Sequence, residues 1–157
     1  MSKRIVAATV THHIRDTCLC LHLQRAARVV ARRYDDVLRP IQLTNGQFSL
    51  LMSLNRAEAP SIGSVAALLA MDRTTLTANL KPLERRGLVT VAVDAADKRS
   101  RLMTLTPAGR AVLAAAIPLW RRVQATTEHL VSPSHCDRLR ADLRALSRPI
   151  SASPQSR

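Results

Sequence analysis

Apolar residues recur at spacings of three and four at Leu19, Leu23, Ala26, Val30, Tyr34 and Val37, which lays one face of a long helix across residues 12–39. Arg25, Arg28, Arg32 and Arg33 occupy the other positions, and Pro40 ends the helix. A helix this long with a single apolar face needs a partner, and a second subunit is a candidate. Thr44 then caps a second helix over residues 45–55, with Phe48, Leu51, Met52 and Leu54 expected on its buried side. Ser61 opens a third helix, whose apolar face is Ile62, Val65, Ala66 and Leu69, and Ala70 and Met71 form the turn behind it.

Asp72 suits the N-cap of a fourth helix that runs to about Arg86. Leu76, Leu80 and Leu83 stand at i, i+4 and i+7 and give its buried stripe. At about 100° per residue the opposite face carries Thr74, Ala78, Lys81 and Arg85, with Thr75 and Thr77 at its flanks. Gly87 is the expected stop, and Pro82 lies on the outward side, where a slight bend is tolerable. Residues 88–93 alternate and are rich in β-branched side chains, so they predict a strand, with residues 102–105 as its return. The turn between them carries Asp97, Lys98, Arg99 and Arg101. Thr106 and Pro107 start a fifth helix to about Leu130, bearing Val112, Leu113, Ile117, Trp120 and Val123, with a kink expected at Pro118. A last helix over 134–147 carries Leu139, Leu143 and Leu146. The pattern predicts a mainly α fold with a small β-hairpin.

Charge adds a partner to this picture. The net charge of +13 and pI near 11.5 suggest a polyanion, although arginine-rich coding alone could raise both. Aromatic residues make up 2% of the chain, too few for a base-stacking platform on single strands. A double-stranded target is therefore the expectation. The odd count of three cysteines argues against a disulfide framework and for a reducing cytoplasm. The apolar run near the N-terminus ends at Val10, short of a signal segment, and no stretch is apolar enough to cross a membrane. No Gly-rich phosphate loop, nucleophile elbow or paired carboxylates appear, so neither enzymatic activity nor a cofactor is expected.

A helix that reads the major groove needs an apolar stripe to dock it and short polar or basic side chains facing out. Residues 72–86 meet that requirement. Thr74, Thr75 and Thr77 can reach bases or phosphates, while Arg73, Lys81 and Arg85 suit phosphates near the groove edge. A hairpin directly behind it, tipped by Lys98, Arg99 and Arg101, has the composition of a wing that enters the minor groove. Asp97 is expected to support the wing by pinning one guanidinium. The competing interpretation is a protein-interaction module whose basic face is merely solvated.

The run from Ser61 to Gly109, with MDRTTLTANLKPLERRGLV, the wing DKRSR and LTPAGRAVL behind it, resembles the winged helix-turn-helix of the multiple antibiotic resistance regulator (MarR) family. RAARVVARRYDDVLRPIQLTNGQFSLL is similar to that family's first two helices. The resemblance implies a homodimer on a palindromic double-stranded operator, repressing transcription until a small effector binds between the long first helix, the second and the fifth. It assigns residues 44–106 to DNA binding and residues 12–43 and 107–147 to dimerisation, leaving 1–11 as a flexible arm and 148–157 as a disordered tail. Many relatives carry arginine where this chain has Ala78.

The same resemblance aligns Cys20 with the reactive cysteine of the family's organic-hydroperoxide-sensing branch. Cys136 would be its partner from the other subunit, and Cys18 a further redox candidate; Arg25 or His22 could favour the thiolate. The alternative is inert cysteines, with Cys136 a small buried hydrophobe. A metal site is not expected, because Cys18 and His22 share a helical face while Cys20 points elsewhere.

Overall fold

A computed structural model describes residues 6–148. Seven helices and one hairpin follow in order: α1 Ala8–Thr17, α2 Leu19–Leu38, α3 Asn45–Leu54, α4 Ile62–Leu68, α5 Arg73–Arg85, β1 Val89–Val93, β2 Arg101–Leu105, α6 Pro107–Glu128 and α7 Cys136–Leu146. Single 3-10 turns, Arg39–Ile41 and Pro133–His135, close α2 and precede α7. This is the mainly α architecture with a small wing that the periodicity predicts.

The N-terminal region departs from expectation. The first helix begins at Ala8, within the segment expected to be an arm, and is interrupted at Cys18, whose ψ of 105° is extended. No proline or glycine marks that break, so nothing local in the sequence announces it. Residues 1–5 of the expected arm and 149–157 of the expected tail lie outside the described residues.

The core sits beneath α5. Leu38, Leu50, Leu51, Val65, Leu76, Leu83, Met103 and Leu105 are fully buried and come from five helical and strand elements. In α3 the buried set is Phe48, Leu50, Leu51, Ser53 and Leu54. Met52, expected inside, is exposed, and Leu50 takes the interior position instead. Ser53 tolerates burial because its hydroxyl donates to Leu50 O at 2.8 Å.

β1 and β2 pair antiparallel from Val89↔Leu105 to Val93↔Arg101. The segment before α4 joins them: Ser61 bridges Leu102, and Met103 N donates to Pro60 O at 3.0 Å. What looks in sequence like a short connection therefore ties the start of α4 to the wing. At the other side, Thr106 caps α6 and also donates its hydroxyl to Gly87 O at 2.7 Å. Gly109 lets the first turn of α6 settle on the hairpin base, since a Cβ there would lie 2.0 Å from Leu88 O.

Candidate nucleic-acid interface

Four local devices hold α5. The Asp72 carboxylate accepts from Thr75 N at 2.8 Å and from the Thr75 hydroxyl at 2.7 Å. Leu76, Leu80 and Leu83 are buried. Gly87 turns the chain out with a φ of +66°, and Leu88 N closes back on Leu83 O at 2.9 Å. Finally, the Arg86 guanidinium reaches across to the turn between α2 and α3, donating to Gln42 O at 2.5 Å and Ile41 O at 3.3 Å.

The two bonds from Thr75, the backbone one first, hold the Asp72 carboxyl below the usual carboxylate range. A depressed folded value means the carboxylate stabilises the fold above the ordinary carboxylate pKa, and that contribution disappears as pH falls through the lowered one. Asn is an equally good cap without a charge. Asp72→Asn is therefore expected to flatten the loss of stability between neutral pH and about pH 3, measured as urea midpoints. An unchanged pH profile would assign that loss to other carboxylates.

The wing is ordered by its own backbone. Asp94 accepts from Ala96 N at 2.9 Å, Asp97 Oδ1 accepts from Arg99 N at 3.0 Å, and Ser100 N donates to Asp97 O at 2.8 Å. Asp97 thus supports the wing by closing an Asx turn rather than by pinning a guanidinium. The tip's inward-turned guanidinium is Arg101, which donates to Lys98 O at 3.1 Å and Ser100 O at 3.2 Å. Lys98 and Arg99 remain exposed.

Of the sequence candidates, Arg73, Thr77, Asp97, Arg99 and Arg101 line one groove of about 560 Å³ between α5 and the wing. Arg73 and Thr77 also border a shallower concavity of about 470 Å³ on the outward face, with Thr74, Ala78 and Lys81. Thr75, Arg85 and Lys98 line neither. Ser61, Ile62, Gly63 and Ser100 complete the main groove and are not among the expected contacts. The sequence shows Ser61 as the cap of α4, which it is, through Ser64 N at 3.1 Å, but its place in the groove depends on the long-range bridge to Leu102. The hydroxyls of Thr75 and Thr77 are already committed, to Asp72 and to Arg73 O at 2.7 Å respectively.

The cysteines are scattered. Cys18 is half-buried at the α1–α2 break. Cys20 is exposed and accepts from Gln24 Nε2 at 3.4 Å. Cys136 is buried with its Sγ directed at Glu128 O and Ser132 O, 3.7 and 3.8 Å away. His22, expected near the thiols, has its Nε2 3.1 Å from Asp16 O. Among the described residues no three His, Cys, Asp or Glu side chains gather as metal ligands, and no helix is long and apolar enough to cross a membrane.

An apolar cavity of about 390 Å³ opens between α3 and α6, lined by Phe48, Met52, Asn55, Leu113, Ile117, Trp120 and Arg121. Contrary to expectation α2 does not line it; α2 instead borders a smaller cleft of about 270 Å³ with the end of α6 and with α7.

The sequence profile of the MarR family matches residues 43–100. The transcriptional regulator HosA of Escherichia coli is 44% identical over 79 residues, which span 49% of this chain and 57% of HosA. The match thus extends over little more than half the length of that relative. The DNA complex of the Mycobacterium tuberculosis transcriptional regulator MosR superposes with a TM-score of 0.73 at 42% identity, covering 83% of this chain and 93% of MosR. The transcriptional repressor CouR bound to a 23-mer DNA duplex gives 0.74 at 32% identity, covering 83% and 92%.

Proposed function

The chain belongs to the MarR family, and from that premise we propose that it is a homodimeric repressor that binds a palindromic DNA operator and is released by a small effector. The observation that carries this reading is the basic groove where α5 meets the wing. In this reading Arg73 and Thr77 in that groove, Thr74 and Lys81 on the adjoining outward face, and Thr75 and Arg85 beyond both meet the major groove and its edges. Lys98 and Arg99 reach the minor groove and its phosphates, and Arg101 and Asp97 hold the tip in shape.

A second copy of the chain accounts for the exposed apolar side chains at both ends of the molecule. Ile14, Leu19, Leu130, Leu139, Leu143 and Leu146, all on α1, α2, α7 or the turn before it, are between 40% and 62% exposed, and a subunit packed on these elements would cover them. Residues 12–43 and 107–147 form this pairing region, and residues 44–106 the DNA-binding part. Two recognition helices about 34 Å apart then meet successive major grooves.

Gel shifts against the chain's own upstream intergenic DNA test the reading, with a scrambled duplex as competitor. Preferential retention of the intergenic fragment is expected; equal binding to both would remove the specific-regulator function. The cavity between α3 and α6 is the proposed effector site. Trp120 lines it and is the chain's single tryptophan, so an effector that releases DNA should also change tryptophan emission.

The exposure of Cys20 favours a thiol-sensing variant of the same function, with Cys136 as partner. Hydroperoxide should then produce a dimer-sized band on non-reducing gels that is absent in Cys20→Ser; no band with unchanged DNA binding would end this variant.

A further inference from the structure

The outward face of α5 has an unusual centre. A recognition helix usually presents hydrogen-bond donors where base edges lie, because donors and acceptors distinguish the four base pairs. Here the hydroxyl proton of half-buried Thr77 is spent on Arg73 O at 2.7 Å, so the oxygen faces the helix backbone and has no proton left to donate to a base. Ala78, one position further round, is exposed and contributes only a methyl. Thr74, one turn before Ala78, is exposed too. Its hydroxyl, unlike those of Thr75 and Thr77, donates to no protein acceptor among the described residues. Together these three side chains form the floor of a concavity of about 470 Å³, with Arg73 and Lys81 at its two ends.

A patch of methyl groups between two cations has a natural complement in the major groove. The cations match the phosphates on either side, and the one apolar group that a base pair presents there is the C5-methyl of thymine. We propose that Thr77 and Ala78 select operators by van der Waals contact with thymine methyls near the centre of each half-site, with the uncommitted hydroxyl of Thr74 beside them. The inference rests on the DNA-binding reading above. It deepens that reading by naming what the helix recognises: thymine, through its methyl, rather than guanine through a bidentate donor.

Selection from random duplexes by the full-length chain first supplies a site. Replacing its thymines one at a time by deoxyuridine removes the methyl and keeps base pairing. One or two thymines per half-site should then show affinity about fourfold weaker for each methyl lost, the value of one buried CH₂ group. Thr77→Ser keeps the hydroxyl that bonds Arg73 O and deletes the methyl, so it should abolish the deoxyuridine penalty at one of these thymines. Thr77→Val keeps a methyl in place and should retain the penalty. A selected site whose deoxyuridine form binds as tightly as the parent would overturn the methyl readout while leaving sequence-specific binding intact. If no sequence is enriched at all, the DNA-binding reading itself falls, and this inference with it.

Discussion

Gly109→Ala is expected to lower the thermal midpoint by about 10 °C. The added Cβ would lie 2.0 Å from Leu88 O and 2.9 Å from Leu105 Cδ2. The first obstacle is backbone, and it is already engaged, because Leu88 O accepts from Thr106 N at 3.1 Å. Relief therefore requires α6 to lift off the hairpin base, which breaks that bond and uncovers Leu88 and Leu105, both now buried. Overpacking of a rigid site costs about 3 kcal/mol or more when backbone must move. Thermal melts followed by circular dichroism measure it. An unaltered midpoint would mean that α6 and the wing are not packed as described.

The second large effect is on DNA. Arg99→Ala should weaken operator binding by about tenfold per subunit, the loss of one charge-assisted contact. It should also lower the slope of log affinity against log salt by about one for each subunit. Arg99 is suited to this test because its side chain is exposed and only its backbone N–H serves the wing, through Asp97. Folding should be unaffected, and a melt with the parent midpoint confirms that the loss is one of contact. Arg101→Ala is the informative contrast. Its guanidinium bonds Lys98 O and Ser100 O, so its removal should loosen the tip as well as weaken binding. Affinity and salt slope unchanged in Arg99→Ala would take the wing out of the interface.

Much of this was legible because the relevant physics is local. Asp72 as cap, the Leu76–Leu80–Leu83 stripe and Gly87 as stop each follow from side-chain chemistry within one or two turns. The two strands of the hairpin needed only alternation and a turn, to within one residue at their ends. What escaped depends on distant partners or on local choices of rotamer and turn geometry. Helix α3 is buried on nearly every side, so its apolar residues carry no phase, and Met52 and Leu50 exchanged places. The role of Asp97 was misjudged because a carboxylate beside arginines suggests an ion pair, whereas the tight turn brings the Arg99 amide closer. Ser61 and Gly63 joined the groove only when β2 drew the start of α4 toward the wing, a contact between residues some forty positions apart. Spending the hydroxyl of Thr77 on its own helix is likewise a choice of rotamer, which composition does not reveal.

The tether from Arg86 has a mechanical consequence. Two N–H groups of one planar guanidinium grip consecutive carbonyls, Ile41 and Gln42, at the turn where α2 ends and α3 prepares to start. Lysine has three donors but no planar fork, so it would hold the same pair in a less fixed geometry. The tail of α5 is thereby clamped to the turn between α2 and α3, while its head is held by the Asp72 cap and by buried Leu76. The position of α5 above the groove is therefore fixed not only by its buried leucines but also by the turn on which α2 and α3 meet.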